Sequence, residues 1–194
     1  MSNILIINAH QPYDFSKGKL NSSLVSMADK LLKNKGHKVK HVKIAEDWDV
    51  QQEIRHHQWA DIILLQSPIN WMGMPWLFKK YMDEVYTQGM DGSLCHGDGR
   101  NSQDPKANYG TGGSLNDKKY MISLTLNAPS EAFNDKKAYL FQGKNIDDLM
   151  FPMHMNFRFF GMQGMKTFAC YDAMKNPDIE QDFTRFENHI NAHF

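Results

Sequence analysis

Cysteine is scarce: the 194 residues hold two, Cys95 and Cys170. They lie far apart with no Cys-x-x-Cys pair, which argues against a disulfide framework, a zinc site or a thioredoxin motif. A prevailing charge is also missing. Lysine plus arginine balance aspartate plus glutamate at 22 each, so no net field draws the chain to nucleic acid or anionic lipid, and small ligands are the expected partners. No apolar run reaches membrane-spanning length, and no basic segment precedes the apolar start. A cytoplasmic protein without membrane insertion is therefore expected.

Familiar catalytic signatures are absent as well. There is no Walker A loop, no Gly-x-Gly-x-x-Gly fingerprint, no Gly-x-Ser-x-Gly elbow and no His-Glu-x-x-His helix. Nucleotide triphosphatase, hydrolase and metalloenzyme readings lose their usual support, and no metal site is expected. His189 and His193 stand four apart near the end of the chain, where a surface pair is the plainer reading than zinc ligation.

What is present begins with one crossover. Ile4-Leu5-Ile6-Ile7 is a short, wholly apolar run, as a strand buried between two helix layers should be. It breaks at Asn8 into a loop carrying Pro12, Asp14, Ser16 and Gly18. From there Leu20, Leu24, Met27, Leu31 and Leu32 mark one face of a helix that Gly36 ends. A helix N-terminus at the carboxyl end of a parallel strand suits a pyrophosphate. The competing reading is an ordinary strand-loop-helix whose serines cap the helix.

Along the chain, His37 to Ile44 reads as an edge strand, Asp49 to Trp59 as a short helix and Asp61 to Ser67 as a second buried strand. The loop Pro68 to Pro75 leads into a helix ending at Gly89. Residues 89 to 119 lack apolar periodicity, and a connection that long is a binding loop, a lid or disordered. Tyr120 to Asn127 reads as a strand. Asn145 to Phe160 is a helical segment broken or restarted at Pro152, and Met165 to Cys170 is a last short strand. Asn176-Pro177 is expected to cap a final helix through Ile179, Phe183, Phe186 and Ile190. Five alternations of strand and helix in one domain, 1–194, imply a doubly wound five-stranded parallel sheet with helices on both faces. Ligands of such sheets bind outside the carboxyl ends of the strands, so the loops at 9–21, 68–74 and 125–129 should converge.

Ser16-Lys17-Gly18-Lys19-Leu20-Asn21, Pro68-Ile69-Asn70-Trp71-Met72-Gly73-Met74-Pro75-Trp76 and Ser123-Leu124-Thr125-Leu126-Asn127-Ala128-Pro129 together resemble one family, the flavodoxin-like NAD(P)H:quinone reductases of the modulator of drug activity B type. The resemblance spans nearly the whole chain. It implies FAD, a homodimer, and two-electron reduction of quinones by NADPH (the favoured donor) or NADH, in an antioxidant, detoxifying role. Carried over residue by residue, it assigns Ser16, Lys17, Gly18, Leu20, Asn21, Ser22 and Ser23 to the pyrophosphate. Ile69, Asn70, Trp71 and Met72, with Thr125, Leu126, Asn127 and Ala128, would line the isoalloxazine, and Tyr109 matches a flavin contact. Trp71, Met72 and Phe133 would form the substrate pocket. Mammalian quinone reductases follow their fourth strand with a tyrosine and histidine relay. This chain has Asn127-Ala128-Pro129 and then Phe133, so no catalytic side chain is assigned, and the flavin is expected to carry the chemistry. The runner-up is an FMN-dependent azoreductase or flavodoxin-like electron carrier. A bulky residue at Asn21, or valine at Gly18, is expected to weaken flavin retention and leave the apo fold largely intact.

Overall fold

A computed structural model describes residues 1–194. Its strands are β1 (Asn3–Asn8), β2 (Lys38–Lys43), β3 (Ile62–Pro68), β4 (Lys119–Thr125), β5 (Gln163–Gly164) and β6 (Phe168–Cys170). The order is β2-β1-β3-β4, with β5 and β6 sharing the far side of β4, and every pairing is parallel. The sheet thus has five positions in the 2-1-3-4-5 order of flavodoxin-like folds, as expected.

Six helices cover it: α1 (Lys19–Asn34), α2 (Val50–Trp59), α3 (Trp76–Gln88), α4 (Ile146–Leu149), α5 (Phe151–Phe159) and α6 (Ile179–His193). Strand pleating sorts the core into two layers. Ile4, Ile6, Leu64 and Met121 face α1 and α6, meeting Leu24, Leu32, Phe186 and Ile190. Leu5, Ile7, Ile63, Leu65 and Ile122 face the other way, toward Ile54, Phe78, Tyr81 and Phe157. Strand β2 lies at the edge, as its lysines suggest, and buries only Val42 among its own residues.

Three local expectations change. The last strand is broken: between the pairs Tyr120–Gly164 and Ser123–Phe168 the edge chain uses one more residue than β4, so Met165 to Thr167 bulge away from the ladder. The cap of α6 is Asp178, whose carboxylate accepts from the Gln181 N–H at 3.1 Å, and not Asn176-Pro177. The break before α5 falls at Met150, because Pro152 sits in the first turn, where its missing N–H costs nothing.

Residues 89–119 are built into the fold. Leu94, Cys95 and Leu115 are buried in the core, and bridges join Asp91 to His96 and Cys95 to Gly113. Glycine is required at Gly113, where a Cβ would come within 2.2 Å of the Phe160 backbone. No helix is long and apolar enough to cross a membrane.

Candidate cofactor cleft

The carboxyl ends of β1, β3 and β4 open on a cleft of about 410 Å³, bordered by the loops after each strand and by Ala173 and Met174. The first loop makes a tight turn in which Tyr13 and Ser16 exchange backbone hydrogen bonds of 2.8 and 3.0 Å. The turn drives Phe15 outward, 76% exposed, and stacks its ring on Tyr13 with centroids 5.3 Å apart.

Gly18 then enters α1 at φ +74 with no side-chain cap behind it, and the first turn holds no acidic residue. The N–H groups of Lys19, Leu20 and Asn21 have no acceptor in the chain. A helix start left uncapped and free of carboxylates keeps its donors and partial positive charge for a ligand. This disposes of the serine-cap reading. Ser22 and Ser23, assigned by resemblance to the pyrophosphate, are exposed on the helix and do not border the cleft. Lys17 borders it, and its salt bridge to Asp14 is long and exposed at 3.4 Å, which leaves the ammonium free to turn.

Beneath this loop lies a buried polar chain. Gln66 Nε2 donates to Asn21 Oδ1 at 2.8 Å, and Asn21 Nδ2 donates to Thr125 Oγ1 at 3.0 Å. Asn21 is 4% exposed, so β3, α1 and β4 are tied by side chains at the cleft floor. Three polar atoms stay shut from solvent without a partner: His10 Nε2, Gln11 Oε1 and Gln66 Oε1. Such atoms are costly unless something else meets them. Burial pushes the His10 imidazole below its ordinary pKa, partly opposed by a hydrogen bond with the Ser16 backbone, so the ring is neutral at neutral pH.

After β3, Asn70 and Gly73 exchange hydrogen bonds of 2.9 and 3.1 Å around a two-residue turn. Trp71 and Met72 occupy it at φ +48 and +64, a left-handed geometry that ordinary residues hold only when the surroundings impose it. Trp71 is 99% exposed at the tip. Ile69 and Asn70 border the cleft; Trp71 and Met72 stand outside its lining. After β4, Thr125, Leu126 and Asn127 border it and Ala128 does not. Asn127 Oδ1 accepts from the Met174 N–H at 3.1 Å, which fixes the loop after β6 against the cleft. The N–H groups of Asn127 and Ala128 have no acceptor in the chain.

Two assigned residues lie elsewhere. Phe133 is 4% exposed, stacked on Phe141 at 4.1 Å and edge-on to Tyr171 at 5.5 Å. It packs in the core and does not border the cleft of its own chain. Tyr109 is 71% exposed, its ring 6.1 Å from Phe159 and 5.4 Å from the Arg100 guanidinium, and it does not border the cleft of its own chain. Sequence reasoning missed His10, Gln66, Phe15 and Met174. Gln66 carried a signal, a polar side chain closing the apolar run Ile62 to Leu65. Met174 carried none.

The model of the family described as the flavodoxin-like fold matches residues 2–194. NADPH:quinone oxidoreductase MdaB of Haemophilus influenzae is 41% identical over 192 residues, 99% of either chain. The chain belongs to the MdaB family. Among solved structures, a protein described as a quinone reductase from Klebsiella pneumoniae superposes on this member of the MdaB family with a TM-score of 0.79 at 19% identity, over 99% of this chain and 85% of that one. General stress protein 14 of Treponema denticola, solved in complex with FMN, gives 0.69 at 15% identity over 99% of each chain. At these identities the two structures establish the MdaB-family fold as flavodoxin-like and nothing finer.

Proposed function

We propose that the protein is a cytoplasmic, FAD-dependent NAD(P)H:quinone oxidoreductase that works as a homodimer, with NADPH the favoured donor and a detoxifying, antioxidant role. The activity is carried by the 41% identity, along 99% of both chains, to NADPH:quinone oxidoreductase MdaB. The residues of the cleft fit a flavin. Free N–H groups at an acid-free helix start, with Ser16, Lys17 and Gly18, suit phosphate oxygens, and the orphaned atoms of His10 and Gln11, which border the cleft, would find partners.

Bound there, the flavin supplies two-electron transfer from nicotinamide to quinone. The chain binds and orients. Ile69, Asn70, Thr125, Leu126 and Asn127 border the place for the ring system, with Ala128 next along the loop. The unpaired N–H groups of Asn127 and Ala128 are donors for developing negative charge. Trp71 and Met72 present the apolar surface on which nicotinamide and quinone lie in turn. Both substrates are planar and need the same reacting position, so occupancy alternates and the kinetics are ping-pong.

FAD is favoured over FMN by Phe15, whose exposed ring on Tyr13 beside the phosphate loop serves a cofactor with a second ring system. The exposed Trp71, Trp76 and Tyr109 support a second copy covering the open side of the cleft. Denaturing the purified protein and identifying the released flavin by chromatography tests the cofactor. FMN alone would favour the azoreductase or electron-carrier reading.

A further inference from the structure

At the amino end of β4, five residues or about 17 Å along the strand from Thr125, a second cleft of about 580 Å³ lies over the bulge at the sheet edge. A hydrogen-bonded chain runs along it. Asp147 Oδ1 is 3.2 Å from His154 Nε2, and His154 Nδ1 is 2.8 Å from the Tyr120 hydroxyl. A carboxylate only accepts, so Nε2 carries a hydrogen, and in the neutral ring Nδ1 accepts from the Tyr120 O–H. The hydroxyl hydrogen rotates, so a charged acceptor in the cleft can draw it away from Nδ1.

Two further groups there are donors lacking a partner. Arg158, one turn beyond His154 on α5, has no carboxylate within reach. Its charge is felt at the Tyr120 phenol, where it opposes the rise in pKa caused mainly by burial and also by Asp147. Thr167 Oγ1, on the bulge, is shut from solvent with no partner. Gly164 leaves the hydroxyl uncrowded, since a Cβ would sit 3.0 Å from it. The acids are engaged: Asp147 holds His154, and Asp148 accepts from the Asn145 N–H at 2.9 Å. Phe151, Met162 and Met165 form an apolar wall.

We propose that this cleft binds a small oxyanion carried on an apolar body, an aromatic carboxylate being the simplest, held by Arg158, the Tyr120 hydroxyl and Thr167. The charged or titratable groups around the imidazole are Asp147 and Asp148 on α4, Arg158 on α5 and Tyr120 on β4.

The test is calorimetry of the flavin-loaded protein with benzoate, and with sulfate as the charge alone, at neutral pH. Benzoate should saturate and bind about tenfold more tightly than sulfate. Arg158→Met should weaken benzoate by about tenfold or more, with Arg158→Lys between, while quinone turnover stays unchanged. Tyr120→Phe should weaken benzoate several-fold. Absence of saturable benzoate binding, or binding indifferent to both Arg158→Met and Tyr120→Phe, would overturn the proposal. Sulfate binding as tightly as benzoate would overturn the apolar body.

Discussion

The side-chain amide of Gln66 donates to Asn21 Oδ1 at 2.8 Å, and this bond holds the first turn of α1 against the carboxyl end of β3. Asn21 passes a second bond to Thr125 Oγ1. One side chain therefore fixes both the helix start that would meet phosphate and the strand end that would meet the flavin ring.

Asn21→Leu should destabilise the apo protein, contrary to the expectation from sequence that a larger residue here leaves the fold intact. It strands Gln66 Nε2 and Thr125 Oγ1 in a buried site, at a cost of about 1–3 kcal/mol each. Urea unfolding of the apo form should show a lower midpoint, and the purified variant less flavin. An unchanged midpoint would show that the chain of amides adds nothing to stability.

Gly18→Ala should fail for a local reason that can be relieved. A Cβ would meet the His10 ring at 2.3 Å, on a backbone at φ +74. Adding His10→Ala removes the clash and leaves the left-handed strain of about 1–2 kcal/mol. The double variant should therefore be more stable than Gly18→Ala alone, as read by thermal unfolding of the apo forms. Equal or lower stability in the double variant would place the effect elsewhere.

The layers of the fold were readable in the sequence because burial writes itself as apolar runs in strands and stripes in helices. Ile4 to Ile7 and Ile62 to Leu65 could hardly have been anything but central strands. The bulge at Met165 to Thr167 was hidden, since a strand that gains one residue keeps its apolar composition. The packing of Phe133 on Phe141 was hidden for a related reason: after a strand end no periodicity says which way an aromatic ring turns. His10 stayed invisible until Gly18 was seen above its ring.

Acid should destabilise the protein partly through His57. Its ring is fully buried against Tyr86, with Nε2 unpartnered. Desolvation, only partly offset by a hydrogen bond with the Glu53 backbone, holds its pKa at about 4 in the folded state. The unfolded value is higher, so between about pH 6.5 and 4 the unfolded chain binds a proton that the native chain refuses, and stability falls as pH falls, by on the order of 3 kcal/mol at most. His57→Phe should flatten this part of the stability curve. An unaltered slope would assign the acid sensitivity to other groups.

Tyr109 should matter to catalysis although it lies away from its own cleft. If a second copy completes the site, Tyr109→Ala should lower flavin retention and quinone turnover while the monomer's unfolding midpoint barely moves, the side chain being mostly exposed. Sedimentation should show a dimer at micromolar concentration. A fully active monomer would reject the assembly.

The most direct test of the central claim is an anaerobic titration of the purified protein followed by visible absorption. One equivalent of NADPH should bleach the flavin band, and one equivalent of a quinone added afterwards should restore it, with quinol as the product and no free one-electron form released. A colourless protein whose cleft takes up no flavin, or a band that NADPH bleaches and quinone fails to restore, would contradict it.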